Sequence, residues 1–133
     1  GQMIVVDSSN WIDYFNGTIS KETDWLDESL GIEPIIMGDI ILAEVLQGFQ
    51  NEKDFRTAKK LLLEFPFMDM VGQELAIKSA MNYRVLRQKG ITIRKTIDVI
   101  IGTFCIHNNF VLLHNDKDFD SLENHLKLKV MKI

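Results

Sequence analysis

Four carboxylates occupy apolar surroundings: Asp7 closes the run IVVD, Glu44 sits in LAEVL, Asp98 in TIDVII, and Asp116 ends LLHND. Asp7 and Asp116 each follow a stretch that reads as a buried strand, so both should point off the same edge of a sheet. Glu44 has Ile40 and Ile41 one turn before it and Gln47 and Gly48 one turn after, which places it on a largely apolar helix face. Asp98 lies at the start of a helix, where the macrodipole favours its charge by ~0.3–1 kcal/mol. A lone buried carboxylate escapes its cost by protonating or by pairing with a base. No Lys or Arg lies within these apolar frames, so converging acids call for a divalent cation. Oxygen donors without a thiolate or imidazole cluster suit Mg²⁺ or Mn²⁺ rather than zinc. Each acid alone has a plainer reading: Asp7 as a helix cap, Glu44 as a surface residue, Asp98 as a first-turn charge, Asp116 as a turn residue beside Asp118 and Asp120. It is the set of four that implies chemistry.

A second feature is cationic. Residues 84–95 carry Arg84, Arg87, Lys89, Arg94 and Lys95 and no acid, although the chain as a whole has net charge −4. Outside that stretch ten basic residues face 19 acidic ones. A basic segment set against an acidic body can grip phosphates beside a negative centre, although a solvated helix face is the simpler account of the charge alone.

The elements that must position these residues alternate between strand and helix. Met3 to Val6 reads as a strand, followed by a helix capped by Ser8 or Ser9 that carries Trp11, Ile12, Tyr14 and Phe15. A short helix spans about 24–30, a strand 34–37, and an Asp39-capped helix runs to Gly48. Phe55, Ala58, Leu61, Leu62 and Phe65 fall on one face of a helix that Pro66 ends. A weaker strand follows at 67–71. A long helix over 74–89 has Ile77, Met81 and Val85 in register and stops at Gly90. Thr96 caps the next helix, and strands at 110–113 and 128–131 complete the pattern. This alternation predicts an α/β fold with a mainly parallel sheet covered on both faces, with the functional crevice beyond the carboxyl ends of the strands.

Composition bounds the rest. With 133 residues, 46% hydrophobic and 26% charged, the chain is sized for one domain, expected over residues 3–133. Gly1 and Gln2 ahead of Met3 read as the remnant of a removed tag. One cysteine excludes a disulfide scaffold, and no apolar run approaches the ~20 residues of a membrane span. The expectation is a cytoplasmic protein with no membrane partner.

The segments MIVVDSSNWIDYF, DIILAEVLQGF, YRVLRQKGITIRKTIDVIIG and FVLLHNDKDF resemble, in the same order, those of the PIN-domain ribonucleases, and among them the VapC toxins of toxin–antitoxin pairs. The resemblance runs from Met3 to Phe119. It implies a three-layer α/β/α fold and a Mg²⁺- or Mn²⁺-dependent endoribonuclease. Asp7, Glu44, Asp98 and Asp116 match the family's acidic quartet, with Asp118 the alternative fourth acid. Ser9 matches a small polar residue that supports the site, and His114 stands where the family more often has Thr or Ser. The resemblance further implies an RNA substrate, often tRNA, an antitoxin laid across the first helices and the active-site groove, and a homodimer. Arg84, Arg87, Arg94 and Lys95 are then candidates to hold the RNA backbone.

Other residues take structural readings. His107 and His125 lack partners at metal-ligand spacing, and Cys105 lies on an apolar helix without a base. Trp11, Tyr14 and Phe15 suit core or partner contacts better than base stacking. The main alternative is a catalytically silent scaffold of the same fold that binds RNA or protein. A haloacid-dehalogenase-type phosphatase needs an Asp two residues after Asp7, where this chain has Ser9. A receiver domain needs an acidic pair at the end of the first strand, where this chain has Asp7 followed by Ser8.

Overall fold

The computed structural model describes residues 2–133; the tag-remnant reading of Gly1 concerns a residue outside those described. β1 (Ile4–Val6) is buried along its whole length, as a strand covered on both faces must be. It leads into α1 (Ser8–Phe15) and α2 (Lys21–Ser29), then β2 (Ile35–Gly38), α3 (Asp39–Leu46), α4 (Glu52–Leu62) and the short β3 (Phe67–Met68). The second half comprises α5 (Gly72–Gln88), α6 (Thr96–Asn108), β4 (Val111–Leu113), α7 (Asp118–Leu126) and β5 (Lys129–Val130).

The five strands form one parallel sheet in the order β3-β2-β1-β4-β5. Helix α1 packs on α2 and α3, and α3 on α4, whereas α5, α6 and α7 pack on one another. The sheet thus separates two helical layers, the expected α/β/α architecture. The chain builds outward from β1 to β3, then crosses to β4 on the other side of β1. That reversal makes the carboxyl ends of β1 and β4 the topological switch point, where open parallel sheets place their ligands. The two ends are tied directly: Asp7 N–H donates to the Leu113 carbonyl at 3.0 Å. α6 lies so close to α7 that a Cβ on Gly102 would collide with Leu122.

Several local expectations are corrected. Of the two readings for the start of α1, the Asp7 cap holds and the Ser8 or Ser9 cap does not, because the Asp7 carboxylate accepts the Ser9 N–H. α2 begins at Lys21 rather than near Asp24, since Ser20 and Thr23 form a reciprocal capping box. Asp39 is inside α3, with Gly38 at the cap; its Oδ1 takes the N–H groups of Ile40 and Met70, both at 2.9 Å. Thr96 starts α6 without capping it, and Lys95 stands at the cap with no side-chain bond. Ile77, Met81 and Val85 do share a face of α5, but the solvent side: they are 56%, 56% and 36% exposed, while Leu75, Ser79 and Leu86 face inward. No helix among the described residues is long and apolar enough to cross a membrane.

Candidate functional site

Each acid reaches the switch point by its own element. Asp7 ends β1 and is buried; its Oδ2 accepts both the Ser9 hydroxyl and, at 3.4 Å, the Ser9 N–H. Glu44 comes from α3, half-buried, and its Oε1 accepts the Ser8 hydroxyl at 3.0 Å. Asp98 enters from the first turn of α6 and is buried. Asp116 lies in the loop after β4, where its N–H donates to His114 Nδ1 at 3.1 Å and its Oδ1 accepts the Asp118 N–H at 2.9 Å. The first of these bonds leaves a neutral His114 carrying its proton on Nε2.

Asp98, Asp116 and Asp118 each bring a carboxylate oxygen within 4.8 Å of the others. Asp7 is close enough to raise the pKa of both Asp98 and Glu44, and so belongs to the same negative centre. Sequence reasoning held Asp118 only as an alternative to Asp116; the fold brings both in. The available signal was a second acid two residues on, just past the strand, where the Asp118 N–H donating to Asp116 Oδ1 folds the loop so that both acids meet.

The electrostatics follow from crowding negative groups in a buried place. Burial, reinforced by the charges of Asp7, Asp116 and Asp118 and only partly offset by Lys95, pushes the Asp98 carboxyl up to about 7. Burial also raises Asp7, against the hydrogen bonds from Ser9. Glu44 is raised by burial and by Asp7, with Ser8 and Lys95 acting against them. Burial lowers His114 despite Asp120, Asp7, Glu123 and Asp116 around it. The Oδ2 atoms of Asp98 and Asp118 are buried with no hydrogen-bond partner. A buried carboxylate oxygen left bare, as Asp98 Oδ2 is, is costly, and an all-oxygen donor set with spare lone pairs fits a hard divalent cation. His107 and His125 stay outside the site; His107 Nδ1 instead lies 2.9 Å from Lys78 Nζ. Cys105 is fully buried, and burial drives its thiol far up, against any role as a nucleophile.

The basic stretch divides. Arg94 Nε is 3.9 Å from Asp118 Oδ2. Lys95 lies near enough to lower both Asp98 and Glu44, so a base does stand beside the acids although none falls within their apolar frames. Arg84 and Arg87 project from α5, exposed, with the Arg87 guanidinium 5.8 Å from the centre of the Tyr83 ring.

Known proteins share the fold that carries these residues. The family model "PIN domain" matches residues 4–124. Ribonuclease VapC11 of Mycobacterium tuberculosis and VapC ribonuclease Mb1587 of Mycobacterium bovis are each 30% identical over 121 residues, 89% of this chain and 90% of theirs. Among solved structures, FitAcB from Neisseria gonorrhoeae has a TM-score of 0.76 at 16% identity, over 98% of this chain and 97% of that one. VapBC2 from Rickettsia felis, bound to a DNA fragment from its promoter, has a TM-score of 0.75 at 16% identity over 97% of both chains. At those identities the two structures speak for the fold.

Proposed function

This chain belongs to the PIN-domain family and, within it, to the VapC ribonucleases, and from that membership we propose that it is a metal-dependent endoribonuclease and the toxin of a type II toxin–antitoxin pair, acting in the cytoplasm as a single domain over residues 3–133. The observation that carries this reading is the bare, buried Oδ2 of Asp98 beside Asp116 and Asp118. A cation is what such an oxygen lacks.

Asp7, Asp98 and Asp116 would hold Mg²⁺ or Mn²⁺, with Asp118 beside them and Glu44 binding or positioning the ion. The chemistry such an ion would supply is Lewis acidity toward a phosphodiester and a lowered pKa for water, in keeping with a hydrolysis that leaves a 3′-hydroxyl and a 5′-phosphate. The protein's own groups do the rest. Ser9 fixes the Asp7 carboxylate and Ser8 fixes Glu44, so that neither acid swings away from the centre. His114 holds the loop that presents Asp116. Arg94 and Lys95, next to the acids, hold the phosphates on either side of the cut, with Arg84 and Arg87 extending the cationic track along α5. Sequence preference would then come from RNA shape and unpaired bases, as in a structured RNA such as tRNA.

Two protein partners belong to the same reading. A cognate antitoxin fits the family and the neighbours solved as toxin–antitoxin complexes, including one from Klebsiella pneumoniae. It would lie across α1 and α2 and the active-site groove. A homodimer would cover the exposed strip of Ile77, Met81 and Val85.

The test is incubation of the purified chain with a pool of small RNAs in Mg²⁺, in Mn²⁺ and in EDTA, beside Asp98→Asn. Discrete fragments that require metal and vanish in the variant are the expected result. No cleavage with either metal, once co-purified antitoxin has been excluded, would return the chain to a silent binding scaffold.

A further inference from the structure

Arg94 and Lys95 are consecutive in the connection between α5 and α6. Lys95 has extended backbone, with φ −118° and ψ 117°, and successive side chains of an extended chain point to opposite sides. The two cations accordingly serve different acids. The Lys95 ammonium acts on Asp98 and Glu44, whereas the Arg94 guanidinium lies beside Asp118, its Nε 3.9 Å from Oδ2. We propose that Arg94 is an exchangeable counterion, held by Asp118 in the metal-free protein and passed to an RNA phosphate when a divalent cation takes the Asp118 carboxylate. Metal binding and RNA capture thereby reinforce each other. This rests on the ribonuclease reading and adds to it the coupling between its two ligands.

The geometry of the pair carries the argument. The Asp118 side chain is 15% exposed, and its Oδ2 is buried without a hydrogen-bond partner. Asp118 also belongs to the trio with Asp98 and Asp116, whose oxygens lie within 4.8 Å of one another. A carboxylate short of hydrogen bonds and crowded by like charges favours whatever cation is near. The arginine, by contrast, is loosely held. An arginine committed to a carboxylate makes two parallel N–H···O bonds through its planar fork. Arg94 approaches through Nε at 3.9 Å, beyond hydrogen-bond length, and is 80% exposed.

Each partner of the pair therefore has a better one in prospect. Exposed ion pairs are weak and readily given up. A divalent cation carries twice the charge and ligates oxygen directly, so it outcompetes a guanidinium that makes no hydrogen bond to Asp118. A phosphate offers Arg94 the two-pronged contact that Asp118 does not. Arg94 drawn to RNA clears Asp118 for the cation, and Asp118 taken by the cation releases Arg94 to RNA. Linkage makes the gain equal in both directions. RNA also reaches Arg94 in the absence of metal, but must then win it from Asp118.

Two measurements on the full chain test the exchange. The first is binding of randomised single-stranded oligoribonucleotides in EDTA. Asp118→Asn sets Arg94 free and should tighten binding roughly threefold. In the Arg94→Ala background the same substitution should gain nothing. Asp120→Asn, which removes an equal charge from an exposed position of α7 outside the trio, should gain far less than Asp118→Asn. The second measurement is Mn²⁺ binding without RNA, followed by the electron paramagnetic resonance of the free ion. Arg94→Ala, having lost the competitor for Asp118, should bind Mn²⁺ roughly threefold more tightly than the wild type. Arg87→Ala, whose guanidinium lies against Tyr83, should bind it as the wild type does. An Asp118→Asn gain that persists in the Arg94→Ala background would come from lost repulsion alone and would overturn the exchange. Mn²⁺ affinity unchanged by Arg94→Ala would overturn it as well, and in either case the nuclease would stand. A wild type that binds no Mn²⁺, or no RNA, would remove the metal-dependent ribonuclease reading and the exchange with it.

Discussion

Asp116 Oδ1 accepts the backbone N–H of Asp118 at 2.9 Å, so one carboxylate oxygen holds the turn that brings the other acid in. The two functions of Asp116 can be separated. Asp116→Asn keeps a carbonyl oxygen that accepts the same N–H, while Asp116→Ala loses both the bond and the charge. Both variants should lose metal-dependent cleavage, but only Asp116→Ala should also lose ~1 kcal/mol of stability, the usual net value of such a bond. Thermal melts in EDTA decide it, and equal melting temperatures for the two variants would remove the turn-holding role.

Asp98 sets the pH response. Its folded pKa, pushed up to about 7, lies above the ordinary value of 3.8, so the folded state binds the proton more tightly than the unfolded chain. The stability this provides is full below about pH 4 and is lost as the pH rises toward 7 and beyond. In EDTA the melting temperature should therefore fall between pH 4 and 8. Asp98→Asn, which cannot ionise, should flatten that slope and melt higher at pH 8. Mg²⁺ or Mn²⁺ should raise the wild-type melting temperature at pH 8 and leave the variant almost unmoved. A variant that keeps the wild-type slope, or gains as much from the metal, contradicts the assignment.

Much of this was legible in the residues. Strands are short, continuous apolar runs here, and an acid directly after such a run can only leave at the carboxyl end of a parallel sheet. That is why residue type and order alone place Asp7 and the Asp116 loop at that edge. What escaped was set by contacts distant in sequence. The face of α5 that is buried depends on where α6 lies, and Ile77, Met81 and Val85 carry the stronger helical signal although Leu75 and Leu86 are the ones that α6 and the core cover. Type alone does not choose among Asp7, Ser8 and Ser9 as the cap, since Asp and Ser cap equally well; Asp7 takes the role and serves α1 and the acidic centre at once. Lys95 lies outside every apolar frame and yet stands near enough to lower both Asp98 and Glu44, a proximity set by the tertiary fold and not by spacing along the chain.

Asn10 offers a test of the fold free of any functional reading. It is fully buried on α1, and neither atom of its amide has a partner. An amide in that state costs ~1–3 kcal/mol. Asn10→Leu, of nearly the same shape, should raise the melting temperature by several degrees, provided the neighbouring side chains accept the branched end. A lower melting temperature, with the far-ultraviolet circular dichroism unchanged, would show that the amide is satisfied in solution.

The cationic residues should separate by salt dependence. For single-stranded RNA each phosphate contact contributes ~0.7 to the slope of log affinity against log salt. Arg94→Ala and Lys95→Ala, measured by binding in EDTA, should each reduce the slope by about that amount, irrespective of RNA sequence. Lys95 carries a second signature. Its charge lowers Asp98 and Glu44, so its removal lets both carboxyls rise further. The pH at which the metal-free protein loses stability should then move upward in Lys95→Ala. Arg87→Ala, whose guanidinium packs on Tyr83 rather than on the acids, should leave that midpoint in place. Arg94 lies 3.9 Å from Asp118 and is 80% exposed, so solvent screens it and its effect on the midpoint should be small. A Lys95→Ala variant with an unchanged salt slope and an unchanged midpoint would place that lysine on an ordinary solvated face. The cationic track would then have to begin at Arg94.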